Sequence, residues 1–174
     1  TTPVLEKFIV PAKNEKWRFS SLKELDTSRR LQAALVNVEA PTGLAVAASS
    51  ELAGERKILL ERPHYDYGSL ALEPLTLQKG QQGYAINAKG VWTDAAWINF
   101  KLQTTRSTFA ARNLVEVAAG GALTVVELSD GKSSDNLALL STRLKVGRGA
   151  TLNYIASQDI PLDSQFFGQW EIEA

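Results

Sequence analysis

The sequence predicts a mainly β protein, built as a β-solenoid or as a β-sandwich. Two copies of one short pattern support this prediction: residues 117–126 (VAAGGALTVV) are echoed 29 residues later by residues 146–155 (VGRGATLNYI). Each copy is an apolar strand end, a glycine-bearing turn and a second strand rich in β-forming residues. A weaker copy at residues 77–86 (LQKGQQGYAI) has glycine in place of the second leucine. One such unit cannot cover its own apolar face, so stacked units are expected to share a continuous core.

Composition disfavours or excludes several classes of function. The chain has 174 residues, enough for one domain of ordinary size. Lys plus Arg and Asp plus Glu each number 19, so no net charge draws the molecule to nucleic acid or to an anionic membrane. The absence of cysteine excludes disulfides, thiolate metal sites and cysteine nucleophiles. Because no run of roughly 18 apolar residues and no N-terminal signal pattern is present, we expect a cytoplasmic protein.

Residues 1–56 are predicted to form a small N-terminal helical segment. Ser21 and Glu24 have the spacing of a capping box, which favours a short helix that begins near Ser21. A second helix is predicted for residues 29–38, where the apolar side chains fall on one face at helical spacing. Those side chains are Leu31, Ala34, Leu35 and Val38.

Residues 57–174 are predicted to form the β domain. The apolar residues 58–60 (ILL) are interpreted as its first strand, and residues 137–144 as a later one. Strict alternation of apolar residues, typical of a half-buried strand, occurs at Ile98, Phe100 and Leu102. Residues 166–170 (FFGQW) form a large apolar tail, which either caps the β core or marks a cut through a longer solenoid.

Two segments resemble the SufB/SufD family, whose members are scaffold components of the SUF machinery for iron-sulfur cluster assembly. Residues 15–25 (EKWRFSSLKEL) resemble the N-terminal segment of its SufD branch. Residues 112–127 (RNLVEVAAGGALTVVE) resemble the early part of its right-handed parallel β-helix. The resemblance therefore implies a right-handed parallel β-helix for residues 57–174. It also implies a non-catalytic subunit that binds a SufB-like paralogue and a SufC-like ABC ATPase, as a hetero-oligomer or as a homodimer.

The resemblance also has departures. Family members are considerably longer and end in a helical domain that nothing in this sequence resembles. We therefore expect either the N-terminal part of a SufD-like protein or a shortened relative. The Cys and His residues linked to cluster assembly in the family match no position of this chain, so no functional residue is carried over. No cofactor or metal is implied for this chain.

His64 is the only histidine, and Asp66 lies two residues after it. This pair suits a general base or a single metal ligand. A zinc site needs three or four protein ligands, so a histidine in a turn at residues 63–68 is the preferred interpretation. A Ser-His-Asp triad stays open, although the sequence contains no Gly-x-Ser-x-Gly pattern.

Two glycine-rich stretches and four carboxylates suggest further chemistry. Gly147-Arg148-Gly149 and Gly120-Gly121 have the composition of phosphate loops, but a strand follows each, so turns of the repeat are preferred. Four carboxylates could converge in a stacked structure, as in β-helix enzymes that cut acidic polysaccharides. They are Glu127, Asp130, Asp135 and Asp159. Scattered surface carboxylates are the default interpretation.

Basic and aromatic residues interleave near the N-terminus, a composition typical of a weak nucleic-acid patch. They are Lys13, Lys16, Trp17, Arg18, Phe19 and Lys23. Glu15 and Glu24 dilute the charge, so aromatic packing against the β domain is preferred and no nucleic acid or membrane is expected as a partner. The sequence thus assigns no catalytic, cofactor-binding or metal-ligating residue and predicts a scaffold rather than an enzyme. The alternative is a β-helix or jelly-roll carbohydrate-binding protein or carbohydrate-active enzyme.

Overall fold

The computed structural model describes residues 30–31, 35–62 and 83–174, and this part of the chain contains ten β-strands and one α-helix. The strands are β1 (Arg30–Leu31), β2 (Leu35–Glu39), β3 (Ala45–Ala48), β4 (Tyr84–Ala88), β5 (Ala96–Lys101), β6 (Ser107–Val117), β7 (Ala122–Asp130), β8 (Leu137–Val146), β9 (Thr151–Asp159) and β10 (Gln165–Glu173). Helix α1 spans Gly54–Glu61, shortly after a 3-10 helix at Ser49–Glu51.

The strands form two sheets that the chain visits in turn from β4 onward. Sheet A has the order β10-β8-β6-β4-β3, with β1 also paired to β6, and sheet B has the order β2-β5-β7-β9. The strands from β4 to β10 pair in parallel within each sheet. The chain therefore winds as a β-solenoid of about three turns. The predicted parallel β-helix is confirmed over the β-sandwich, and its right-handedness stays a prediction.

The coil length of 29 residues follows the spacing of the two sequence copies. In sheet A, Val117 of β6 lies beside Val146 of β8. In sheet B, Leu123 of β7 lies beside Leu152 of β9. Side chains of neighbouring coils contact each other across 29 residues, for example Asn113 and Thr142. The two copies are therefore equivalent parts of consecutive coils, as predicted.

The weaker third copy of the pattern is wrong in its phase. Residues 77–82 lie outside the described residues, and Tyr84–Ala88 is a strand that precedes a turn. Ala85 lies beside Leu114 of β6 and so does not correspond to Val125 of β7. The match failed because apolar β-forming residues occur on both sides of each turn, so glycine spacing alone does not fix the phase.

The core lies between the two sheets, on the inward side of each strand. Alternation along β5 buries Ile98 and Phe100, while Trp97 between the sheets' outer neighbours is exposed, as the sequence pattern predicts. The ring of Phe100 lies 5.4 Å from that of Phe109 in β6. The largest apolar contributions to this core are Tyr84, Ile86, Ile98, Phe100, Phe109, Val115, Leu123, Val125 and Leu140.

Helix α1 covers part of the outer side of sheet A. Leu60 packs with Ala85 and Leu114 in a small second apolar cluster. Two buried arginines of adjacent coils, Arg112 and Arg143, donate hydrogen bonds to backbone carbonyls at the C-terminal end of α1. Positive charge at this end of a helix is favourable, because unpaired carbonyls concentrate partial negative charge there. The helix is thus attached to the sheet by apolar packing and by charge-assisted hydrogen bonds.

Two predicted elements are wrong. The helix predicted for residues 29–38 is replaced by β1 and β2, because Val36 and Val38 also satisfy a period of two and pack against the core when β2 pairs with β5. The strand predicted for residues 58–60 is part of α1, with Leu60 buried and Ile58 68% exposed. A run of three apolar residues does not distinguish a strand from the face of a helix.

The predicted division at residue 57 falls inside α1, and β2 and β3 before it join sheets B and A. The segment before residue 57 is therefore largely extended in the part that the structure describes. The helix predicted near Ser21 lies outside the described residues. The apolar tail at residues 166–170 lies in β10, which extends sheet A beside β8.

The turn after β8 lies tightly on the turn after β6, and glycine is required there. A Cβ atom at Gly147 would lie 2.5 Å from the backbone nitrogen of Ala119, whereas a Cβ at Gly90, in the turn after β4, would meet nothing within 4 Å. We expect Gly147→Ala to lower the free energy of unfolding by about 1–3 kcal/mol through overpacking. Gly90→Ala is the matched control, with an expected change within about 0.5 kcal/mol. Urea unfolding measures both, and equal effects would contradict the close stacking of the turns.

Arg143 is 1% exposed and donates from Nε to Glu171 Oε2 of β10 at 3.0 Å, in addition to its bonds to α1. Removing one partner of a buried ion pair typically costs about 3–5 kcal/mol. We expect a loss of this order for Arg143→Ala in thermal or urea unfolding. The control is Arg106→Ala, because the exposed Arg106 meets Asp135 at 3.8 Å on the surface, where a pair contributes at most about 1 kcal/mol. A loss for Arg143→Ala no larger than that of the control would contradict the anchoring role.

Candidate functional site

A cluster of polar side chains lies inside the solenoid, around the carboxyl group of Glu127. The alternation of β7 turns Val125, Glu127 and Ser129 inward, and Glu127 is 1% exposed. A carboxyl at an inward position loses its hydration, so it needs hydrogen-bond donors from the surrounding strands. This is the one buried carboxyl among the described residues.

Four strands surround Glu127 with neutral polar groups. The hydroxyl of Tyr154 donates to Glu127 Oε2 at 2.6 Å, and the hydroxyl of Tyr84 does so at 2.9 Å. Asn113 Nδ2 lies 3.4 Å from the same oxygen and also donates to Thr142 Oγ1 at 3.1 Å. The two tyrosine hydroxyls lie 2.9 Å apart. The cluster therefore connects β4, β6 and β8 of sheet A with β7 and β9 of sheet B.

The register of the coils brings these side chains together. Asn113 of β6 and Thr142 of β8 are direct neighbours in sheet A. Asn113 also accepts the backbone N–H of Tyr84 through Oδ1 at 3.3 Å, which fixes its amide orientation. In sheet B, Tyr154 lies one coil above Val125, two positions from Glu127 along the inward side. The polar side chains therefore fall at one level of the solenoid, in an otherwise apolar core.

Burial raises the pKa of the Glu127 carboxyl, and the hydrogen bonds from Tyr154 and Tyr84 offset only part of that rise. Burial is also the main cause of the raised pKa values of Tyr84 and Tyr154, and the Glu127 charge adds to both. Both hydroxyls thus stay protonated and available as donors. The hydrogen bonds of Glu127 come from neutral groups, so ionisation places a negative charge in the core without a cation to compensate it.

A separate groove of about 630 Å³ lies on the surface, at the corner where sheet B ends. Asp130 and Asp159 line it as direct neighbours on β7 and β9, with Lys101 below them on β5. A second groove of about 350 Å³ is lined by β2, β3 and Tyr84. Glu127 lines neither groove. The buried carboxyl is therefore not placed to act on a molecule bound in either of them.

The predicted convergence of four carboxylates occurs only in part. Asp130 and Asp159 meet at the groove, whereas Asp135 pairs with Arg106 and Glu127 is enclosed in the core. Within residues 30–31, 35–62 and 83–174, no three His, Cys, Asp or Glu side chains lie close enough to hold a metal ion. The carboxylates were correctly singled out, but inward or outward orientation decides which of them meet.

The two glycine-rich stretches are turns of the repeat, as predicted. Residues 118–121 connect β6 to β7, and residues 147–150 connect β8 to β9. They stack on each other, with the Gly147 N–H donating to Val117 O at 2.8 Å. Their N–H groups are thus used between coils instead of forming a phosphate cradle. His64, Asp66 and the basic and aromatic residues near the N-terminus lie outside the described residues.

Sequence reasoning missed the other members of the cluster: Tyr84, Asn113, Thr142 and Tyr154. The signal that could have found Glu127 is its place in the alternation of β7, where it follows Leu123 and Val125 at intervals of two. Placing its partners required the register of three coils, which the third sequence copy gave in the wrong phase.

Comparison with models of protein families, with curated proteins and with solved structures found no match to this chain. Helix α1 has eight residues, and no helix in the described part of the chain has the length and apolar character that crossing a bilayer requires.

Because the pKa of Glu127 is higher in the folded protein than its ordinary value, the native state binds more protons than the unfolded chain between the two values. The free energy of unfolding therefore falls as pH rises from the unfolded pKa through the folded one. We expect Glu127→Gln to remove this fall, by about 1.4 kcal/mol for each unit by which the pKa is raised. Urea unfolding from about pH 4 to about pH 9 measures the slope.

The matched control is Asp130→Asn, which removes a carboxyl from the outward side of the same strand. We expect the control to keep the slope of the wild-type protein. A Glu127→Gln variant whose stability depends on pH as the wild type does would show that this carboxyl does not cause the pH dependence.

Proposed function

We propose that this chain is a non-catalytic scaffold subunit of the SUF machinery for iron-sulfur cluster assembly in the cytoplasm. In this proposal it binds a SufB-type paralogue through one end of the solenoid, and a SufC-type ATPase supplies the conformational drive. The chain itself performs no covalent chemistry and holds no cofactor. The resemblance of residues 15–25 and 112–127 to the SufB/SufD family suggests the proposal, and the parallel β-helix is the fold that the resemblance implies.

One observation carries the proposal: the last coil leaves two parallel edge strands open at the same end of the solenoid. Among the described residues, β9 pairs only with β7 and β10 pairs only with β8. We call β9 and β10 together the open end. Each strand is nine residues long, so each presents a long row of backbone N–H and C=O groups for pairing with another strand.

The open end lacks the usual protection of an edge. Neither β9 (TLNYIASQD) nor β10 (QFFGQWEIE) contains proline, lysine or arginine, which commonly prevent edge pairing. Ile172 continues the inward column above the buried Leu144, yet it is 67% exposed because no coil covers it. Trp170 is 38% exposed and lies against Gly168. Strand addition by a partner would satisfy the backbone groups and cover these apolar side chains.

A carbohydrate-binding protein or carbohydrate-active enzyme is a second proposal, favoured by the surface groove. Asp130 and Asp159 line that groove on adjacent strands, and two carboxylates flanking a glycosidic bond are what glycoside hydrolysis requires. No tryptophan or tyrosine side chain is part of the groove lining, so it lacks the aromatic platform common in sugar sites. The open end therefore supports the scaffold better than the groove supports an enzyme.

The test is co-purification from the native source, with the full-length gene product tagged and its companions identified by mass spectrometry. We expect an ABC-type ATPase together with a Cys-containing paralogue. Recovery of neither, from cells shown to express the SUF machinery, would overturn the scaffold proposal. Binding of an acidic oligosaccharide that Asp130→Asn abolishes would favour the second proposal instead.

A pair of isoleucine variants tests where the partner binds. Ile172 and Ile58 are 67% and 68% exposed, but Ile172 lies at the open end and Ile58 on α1. We expect Ile172→Lys to reduce recovery of the paralogue by at least about tenfold, which corresponds to about 1.4 kcal/mol at an interface. Ile58→Lys is expected to leave recovery of the paralogue unchanged. Equal recovery with both variants would place the paralogue elsewhere on the molecule.

A further inference from the structure

The buried Glu127 lies one coil below the open end, and only Tyr154 connects it to the last coil of sheet B. Tyr84, Asn113 and Thr142 lie on strands β4, β6 and β8, each of which has a neighbouring strand on both sides. Tyr154 lies on β9, which among the described residues has β7 on one side only. Tyr84 is 1% exposed and Asn113 and Thr142 are fully buried, whereas Tyr154 is half-buried. Tyr154 is therefore the member of the cluster that moves at the lowest cost.

Every element packed around Glu127 presents a neutral group to it. Sheet A contributes Tyr84, Asn113 and Thr142, and β9 contributes Tyr154. The charged residues of β10, Glu171 and Glu173, lie beside Arg143 and Lys145 on the outer side of sheet A. The nearest charged residue along β7, Asp130, points outward to the groove. No cation of the described residues thus faces the Glu127 carboxyl.

We propose that ionisation of Glu127 acts as a switch on the last coil: it displaces Tyr154 and loosens strand β9. A buried carboxylate without a cation is stabilised most effectively by water. Water reaches Glu127 at the lowest cost where one strand alone separates it from solvent, which is the side of Tyr154. In the protonated state the neutral carboxyl stays enclosed, with Tyr154 hydrogen-bonded above it.

The raised pKa of Glu127 supports this direction, because it shows that the enclosed site favours the neutral acid. An open state in which water reaches the carboxyl has a pKa close to the ordinary value. The open state therefore gains on the closed state as pH rises from the ordinary pKa to the raised one. The switch is a property of the chain alone, so its test does not depend on the proposed partner or function.

Amide hydrogen exchange of the intact chain, resolved by strand, tests the proposal. The rates in wild-type protein are divided by those in Glu127→Gln at the same pH, which cancels the intrinsic effect of pH on exchange. For β9, we expect this ratio to rise from about pH 4 to about pH 9 by about tenfold for each unit by which the pKa is raised. At each pH the β9 amides should exchange faster than those of β8, which identifies an opening separate from global unfolding.

Two further variants keep the test decisive. Asp130→Asn is expected to show the wild-type pH profile in β9. Tyr154→Phe removes one hydroxyl that holds the ionised carboxyl, so its β9 rates should continue to rise to higher pH than in the wild type; this variant also serves if Glu127→Gln does not fold. A wild-type to Glu127→Gln ratio that is constant with pH would overturn the proposal. So would β9 amides that exchange at the same rate as those of β8.

Discussion

The register of 29 residues between successive coils is the constraint on which the rest of this structure depends. Within a sheet, parallel pairing places each residue beside the one 29 positions later, and alternation along the strand decides which side chains point inward. A shift by one residue would exchange the inward and outward sets of a whole strand. The turns must therefore have a constant geometry, which explains why no Cβ atom fits at Gly147, where one turn lies directly on another.

The same register explains why the polar groups of the core are concentrated at one level. Asn113 and Thr142 are vertical neighbours in sheet A, and Glu127 lies opposite them in sheet B. Because the inward columns repeat, polar residues in neighbouring coils meet and satisfy one another instead of being scattered through the core. A fully connected network of this kind favours one register over its alternatives, since a shifted strand would leave a buried carboxyl without donors.

The sequence predicted the central coils well and their surroundings poorly, for physical reasons. The glycine turns at residues 118–121 and 147–150, with apolar alternation on either side, are local signals, and both the coil length and the strands around them could be predicted. The weaker copy at residues 77–86 could not be phased, because strands before and after a turn have similar composition. In β2, helical and strand periods fit the same residues, and only pairing with β5 decides between them. The Glu127 cluster joins residues from five strands, so no local pattern identifies it.

The two ends of the described solenoid differ in a way that gives it a direction. At one end, β2 and β3 pair antiparallel with β5 and β4, and their valines pack against the core. At the other end, β9 and β10 continue the parallel direction and leave Ile172 exposed. An antiparallel strand ends a parallel coil, whereas a parallel edge repeats the geometry of every pair before it. Association by strand addition is therefore favoured at β9 and β10, the end whose last inward tyrosine also contacts Glu127.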